Sequence, residues 1–235
     1  MQQASTIFED IGQIDYKEAW DYQEKQFNRI VDAKLFNRDH SGNPRSAEHH
    51  LIFCEHPHVY TLGKSGQANN LLIRDDFLKK INATFYKINR GGDITYHGPG
   101  QIVGYPIFDL EQMELGVREY ISRLEDAIIS ALGRYGISGE RLDGSTGVWL
   151  EPSTPRSRKI CAIGVRASRY VTMHGFALNV NTDLTYFSHI NPCGFIDKGV
   201  TSMEKELGEK VNQEDVKIIL KEELKNVFGL DFVRS

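Results

Sequence analysis

Residues 90–108 read RGGDITYHGPGQIVGYPIF. Four glycines and Pro99 fall in the first dozen positions, and an apolar, strand-like run begins at Ile102. A glycine-rich turn beside a strand invites a phosphate-binding reading. The spacing argues against it, because G-G-D-I-T-Y-H-G-P-G misses the G-x-G-x-x-G dinucleotide pattern. The next element is a strand rather than a helix, so no helix N-terminus is there to hold an anion. Gly63-Lys64-Ser65 is the nearest approach to a Walker loop, but His58 stands where its first glycine belongs. The stretch therefore reads as a turn that lets backbone come close to a ligand other than a nucleotide.

Working outward, apolar spacing predicts a helix over 16–35, with Tyr16, Ala19, Trp20, Phe27, Ile30 and Val31 on one face beside the polar Gln23. A second helix is expected over 113–135 with Gly136 as its stop, and a third over about 213–228 between Asn212 and Gly229. Thr201 and Glu204 have capping-box spacing before a short helix that Gly208 ends. Strands are expected over 51–62 with a break at Pro57, over 83–89 and 101–108, and as a hairpin over 159–167 and 170–180. Strands outnumber what strict βαβ alternation would give. The expected class is α+β, a mixed β-sheet packed by helices. There are no internal repeats and no convincing linker; the length admits one domain or two, and the short loop at 151–158 is the best candidate for a boundary.

A formal net charge of -4 gives no support for nucleic-acid binding. Three widely spaced cysteines fit reduced thiols rather than a disulfide framework. The N-terminus has neither a secretory nor a transit-peptide pattern, and no apolar run approaches the length of a membrane span. The expectation is a soluble, cytoplasmic protein.

Several chemistries drop out. The hydrolase elbow G-x-S-x-G is absent, and Asp143-Gly144-Ser145-Thr146-Gly147 reads as a turn. No C-x-x-C is present, and no metal site is expected at His56 and His58. Cys54 and Cys161 lie in apolar strand runs and read as small buried hydrophobes. Cys193, in Asn191-Pro192-Cys193-Gly194-Phe195, lies on a turn that can present its sulfur to a pocket; a nucleophile and a plain loop thiol are both open. A nucleophile would need a base or cation, and His97, His174, His189 and Lys159 are candidates. If 159–167 is a regular strand, Lys159 and Cys161 share a buried face. A lysine there is either desolvated and able to exchange protons, or snorkelling to water.

Taken together, Arg90–Gln101, Lys159-Ile-Cys-Ala-Ile-Gly164, His174-Gly-Phe-Ala-Leu-Asn179 and Asn191-Pro-Cys193-Gly194 resemble the ordered motifs of the lipoate-protein octanoyltransferase family. Glu55-His56-Pro57, Tyr60-Thr61-Leu62-Gly63 and Val200-Thr201-Ser202 extend the resemblance across roughly 50–205. It implies the catalytic fold of biotin and lipoate protein ligases, with residues 1–235 forming a single catalytic domain. It also implies an acyltransferase carrying out the first step of endogenous protein lipoylation. An octanoyl group would pass from octanoyl-acyl carrier protein, through an acyl-thioester on Cys193, to a lysine of lipoyl domains. Those domains belong to 2-oxoacid dehydrogenase E2 subunits and the glycine cleavage H protein. Lys159 would lower the pKa of Cys193. The substrate pocket would be formed by Arg90, Gly91, Gly92, Asp93, Ile94, Thr95, Tyr96 and His97, by Ala162, Ile163 and Gly164, and by His174, Gly175 and Phe176. No cofactor, metal, nucleic acid or membrane is implied. Arg90, Arg156, Arg158, Arg166 and Arg169 would supply a basic surface for an acidic carrier protein. The competing readings are an ATP-dependent ligase on the same fold, which has no need of Cys193, and a binding module without activity.

Overall fold

The computed structural model describes residues 5–40, 42–191 and 199–233. In chain order the strands are β1 (Thr6–Gln13), β2 (His49–Glu55), β3 (Val59–Leu62), β4 (Thr84–Lys87), β5 (Ile94–His97), β6 (Gln101–Ile107), β7 (Glu140–Leu142), β8 (Ser145–Leu150), β9 (Arg158–Ser168), β10 (Val171–Asn179), β11 (Gly199–Val200) and β12 (Phe232–Val233). The helices are α1 (Tyr16–Asp39), α2 (Asp75–Lys80), α3 (Val117–Gly133), α4 (Met203–Leu207) and α5 (Gln213–Phe228). Among the described residues the main sheet runs β12-β1-β2-β6-β10-β9-β8-β7, with β11 parallel to β9. The pairs β12–β1 and β1–β2 are parallel and those from β2 to β7 antiparallel, which makes the sheet mixed. A small second sheet runs β4-β3-β5.

The alternation of β2 shows why helices cover both faces. Leu51 and Phe53 enter a core with α3 and α5, while Ile52 and Cys54 enter a second core with α1. Helix α1 buries Tyr16, Ala19, Phe27, Ile30 and Val31 as its spacing marks out, and Gln23 with them, while Trp20 is half-buried. Asn212 accepts the Glu214 N–H at the start of α5, and Gly229 closes the helix in the left-handed region. The expected break at Pro57 has a topological meaning: β2 belongs to the main sheet and β3 to the small one.

Three local expectations change. The cap of α4 is Ser202, which accepts the Lys205 N–H. Thr201 is unavailable because its hydroxyl donates to Glu206. The stretch 90–101 is not turn alone, since β5 occupies its middle. Finally, the pairing of β9 with β8 slips at Ile160: Val148 lies opposite Cys161 and Trp149 opposite Lys159. That bulge breaks the regular parity, so Cys161 enters the main core while Lys159 turns to a cavity. Among the described residues no helix is long and apolar enough to cross a membrane.

Candidate functional site

A cavity of about 470 Å³ opens where the glycine-rich stretch meets the β9–β10 hairpin of the main sheet. The join is made by backbone. The Gly91 N–H donates to the Val165 carbonyl at 3.0 Å, and a Cβ on Gly91 would press on that same oxygen. On the other side, the N–H groups of Gly63, Lys64 and Ser65 donate to the carbonyls of Asp93, Arg90 and Gly92. The segment closest to a Walker loop thus commits its donors to the glycine turn.

Arg90 sends its guanidinium inward. Nη1 donates to the Gly91 carbonyl at 2.8 Å and Nη2 to the Asp93 carbonyl at 2.7 Å. Burial lowers the Arg90 pKa. This placement removes Arg90 from the basic outer surface expected of it, because its charge lies against the cavity wall. Arg158 is likewise occupied, paired with Glu206 and Glu151. Gly164 is required by this packing, since a Cβ there would stand 2.6 Å from Arg90 Nη1. The Asp93 carboxylate accepts from Asn70 Nδ2 at 2.9 and 2.8 Å.

His174 takes φ +58° in the middle of β10. Its N–H donates to Gln23 Oε1 and its Nε2 lies 2.9 Å from Asn89 Oδ1. A non-glycine residue held at such a φ needs support of this kind. Burial depresses the pKa of His174 and of His97 to about 3, so both rings are neutral at physiological pH.

Lys159 lines the same cavity. Its Nζ donates to the Thr146 carbonyl at 3.2 Å and sits 4.6 Å from the centre of the Trp149 ring. Burial pulls its pKa down to about 8, with the Arg90 charge adding to the fall and Cys161 and Glu125 opposing it. The thiols of Cys54 and Cys161 are buried, and burial raises the pKa of each, in keeping with their apolar strands. Cys193 lies outside the described residues.

The structure brings together every other pocket residue expected from the sequence except Tyr96. Tyr96 instead enters the small sheet's own core with Leu62, Ile94 and Ile190. There it packs with Tyr60, Tyr186 and Phe187 and lies 2.7 Å from His58 Nδ1. Residues beyond the pocket expected from the sequence also line the cavity, among them Tyr16, Gln101, Val103, Tyr105, Thr146, Trp149 and Asn179. Gln101, Val103 and Tyr105 alternate along β6, a period-two signal that could have marked them. Trp149 was hidden by the Ile160 bulge.

Residues 15–225 match the family model described as the lipoyl protein ligase A/B catalytic domain. The chain is 57% identical over 219 residues to an octanoyltransferase of Bacteroides thetaiotaomicron, covering 93% of each chain. It is 58% identical over 219 residues to an octanoyltransferase of Christiangramia forsetii, again covering 93% of each. Among solved structures, the bipartite lipoate protein ligase of Thermoplasma acidophilum with its E2 lipoyl domain superposes with a TM-score of 0.71. At 14% identity, over 99% of this chain and 87% of that one, this likeness concerns the fold. The family and the fold expected from the motifs are both met.

Proposed function

This chain belongs to the lipoyl protein ligase A/B catalytic-domain family, and from that premise we propose that it is an octanoyltransferase acting in protein lipoylation. The donor is octanoyl-acyl carrier protein, the intermediate a Cys193 thioester, and the acceptor a lipoyl-domain lysine. The relatives named octanoyltransferase support the acyl group. The observation that carries the chemistry is Lys159, partly buried on a cavity whose walls are otherwise largely apolar.

In this reading the Cys193 thiol gives its proton to Lys159 and attacks the donor's carbonyl carbon. The bond from that carbon to the pantetheine sulfur breaks, and the departing thiolate takes the proton back from Lys159. The acceptor amine then attacks the Cys193 thioester. The C–S bond breaks, an amide forms, and the proton lost by the amine returns to the Cys193 sulfur through Lys159. A base with a pKa of about 8 lies near the ordinary thiol value, so it can take and return the proton. Exchanging one thioester for another costs little, and the amide makes the second step favourable. Apolar groups such as Ile94, Ile163 and Phe176 suit an alkyl chain.

Incubation with octanoyl-acyl carrier protein, followed by intact mass, tests the reading. The expected result is a gain of one octanoyl group, labile to hydroxylamine and absent in Cys193→Ser. A labile adduct that persists in that variant, or transfer that depends strictly on ATP, would overturn it.

A further inference from the structure

A one-way chain of hydrogen bonds runs along the cavity wall, to which Arg90, His97, Gln101 and Asn179 belong. Arg90 Nη2 donates to Thr61 Oγ1 at 3.4 Å, and Thr61 Oγ1 lies 3.5 Å from His97 Nε2. His97 Nδ1 is 2.8 Å from Gln101 Oε1, and Gln101 Nε2 donates to Asn179 Oδ1 at 2.8 Å. Asn179 Nδ2 then donates to the Thr201 carbonyl at 2.9 Å, while the Thr201 N–H donates to the Lys159 carbonyl at 2.9 Å. Thr61, His97, Gln101, Asn179 and Thr201 are all buried.

The two ends dictate the direction. A guanidinium can only donate and a backbone carbonyl can only accept. Asn179 must therefore turn its amide nitrogen to Thr201 and its oxygen to Gln101. Gln101 must turn its nitrogen to Asn179, where the Tyr96 carbonyl at 3.3 Å also accepts from it. Its oxygen is left for His97, which must carry its proton on Nδ1 and keep Nε2 bare for the Thr61 hydroxyl. Reversing one amide would set like against like in a buried site, at the cost of an unpaired polar group.

We propose that Gln101 and Asn179 are positioning residues of the transfer site: through them the Thr201 carbonyl fixes His97 as the Nδ1–H tautomer and registers the Arg90 wall of the cavity against the strand that carries Lys159. The role rests on the transferase reading, whereas the tautomer can be measured without it.

The test has two arms on the full-length protein. In the first, long-range proton–nitrogen spectra of imidazole-labelled protein identify the His97 ring by its loss in His97→Asn. The expected His97 signal is a neutral ring protonated at Nδ1. A ring protonated at Nε2 overturns the proposal, and it does so whether or not the protein transfers octanoate. The second arm uses Asn179→Asp, which keeps the shape but sets an acceptor against the Thr201 carbonyl. Octanoyl transfer is expected to lose about tenfold or more in kcat, with the donor KM within about threefold of wild type. A folded Asn179→Asp protein with wild-type kcat overturns the positioning role. Should that variant fail to fold, Gln101→Glu serves in its place. Its carboxylate can still accept from His97 but cannot donate to Asn179, so the same loss in kcat is expected and a wild-type kcat is equally fatal.

Discussion

Burial holds Lys159 at a pKa of about 8, well below the ordinary 10.5, and this one displacement leads to two opposite expectations. For catalysis, about a tenth of Lys159 is neutral at pH 7 and half at pH 8. Acylation of Cys193 should therefore rise with pH up to about 8 and then level off. Lys159→Ala should slow it by about 10²-fold at pH 7, and raising the pH toward the thiol's own value should restore part of the rate. Single-turnover acylation followed by mass measures both; an unchanged rate in Lys159→Ala would remove Lys159 from the mechanism. For stability the sign is reversed. Below pH 8 the ammonium is charged in both folded and unfolded chains, and the folded state bears the full cost of burying it. Above 10.5 it is neutral in both and the cost is gone. Lys159→Met should therefore stabilise the fold at pH 7 by on the order of 1–2 kcal/mol after allowing for partial exposure and the lost Trp149 contact. That gain should fade between pH 8 and 10.5. Urea titrations across this range check it.

The long elements obey their spacing, and their physics is local. The turn of α5 that Asn212 caps, for example, depends on one side-chain oxygen. Asn212→Ala should cost about 1 kcal/mol in chemical denaturation and leave octanoyl transfer unchanged. The β9–β10 hairpin rests instead on close backbone approach. A Cβ on Gly175 would stand 2.1 Å from the Gly104 carbonyl of β6. Gly175→Ala should thus destabilise by about 2 kcal/mol or more, since backbone rather than a rotamer must move. The contrast explains what was legible in the sequence. Helices α1, α3 and α5 and strands β2, β6, β9 and β10 carry a period that marks them out. Strands β1 and β5 do not, because their side chains serve different surroundings at successive positions. Thr6 and Tyr96 are fully buried, for instance, whereas Glu9 and Thr95 are only partly so. The bulge at Ile160 turns Lys159 away from the Cys161 face for a reason that lies in its pairing with β8 and not in its own residues.

At the scale of the whole molecule, the cavity exists because two sheets meet. The Arg90–His97 wall belongs to the small sheet, and the Ala162–Gly164 and His174–Phe176 walls belong to the main one. No local pattern announces that meeting. It became legible only through the joint order of four motifs, which is a property of the family rather than of any segment. If this shared space holds the acyl chain, filling it from the main-sheet side should shorten the chain that is accepted. Ala162 lies opposite Ala177 in the β9–β10 pairing, and both residues line the cavity. Ala162→Leu adds three carbons to a wall that faces open volume, so it should be tolerated in folding while competing with the chain for space. Rates with butanoyl, octanoyl and dodecanoyl pantetheine thioesters would show the effect. The octanoyl and dodecanoyl rates should fall by about tenfold or more, the scale of a single methylene in an apolar pocket. The butanoyl rate should stay within about threefold of wild type on the same scale. An equal loss for all three would mean that Ala162 acts on the reacting carbonyl and not on the chain, and the cavity between the sheets would then not be where the chain lies.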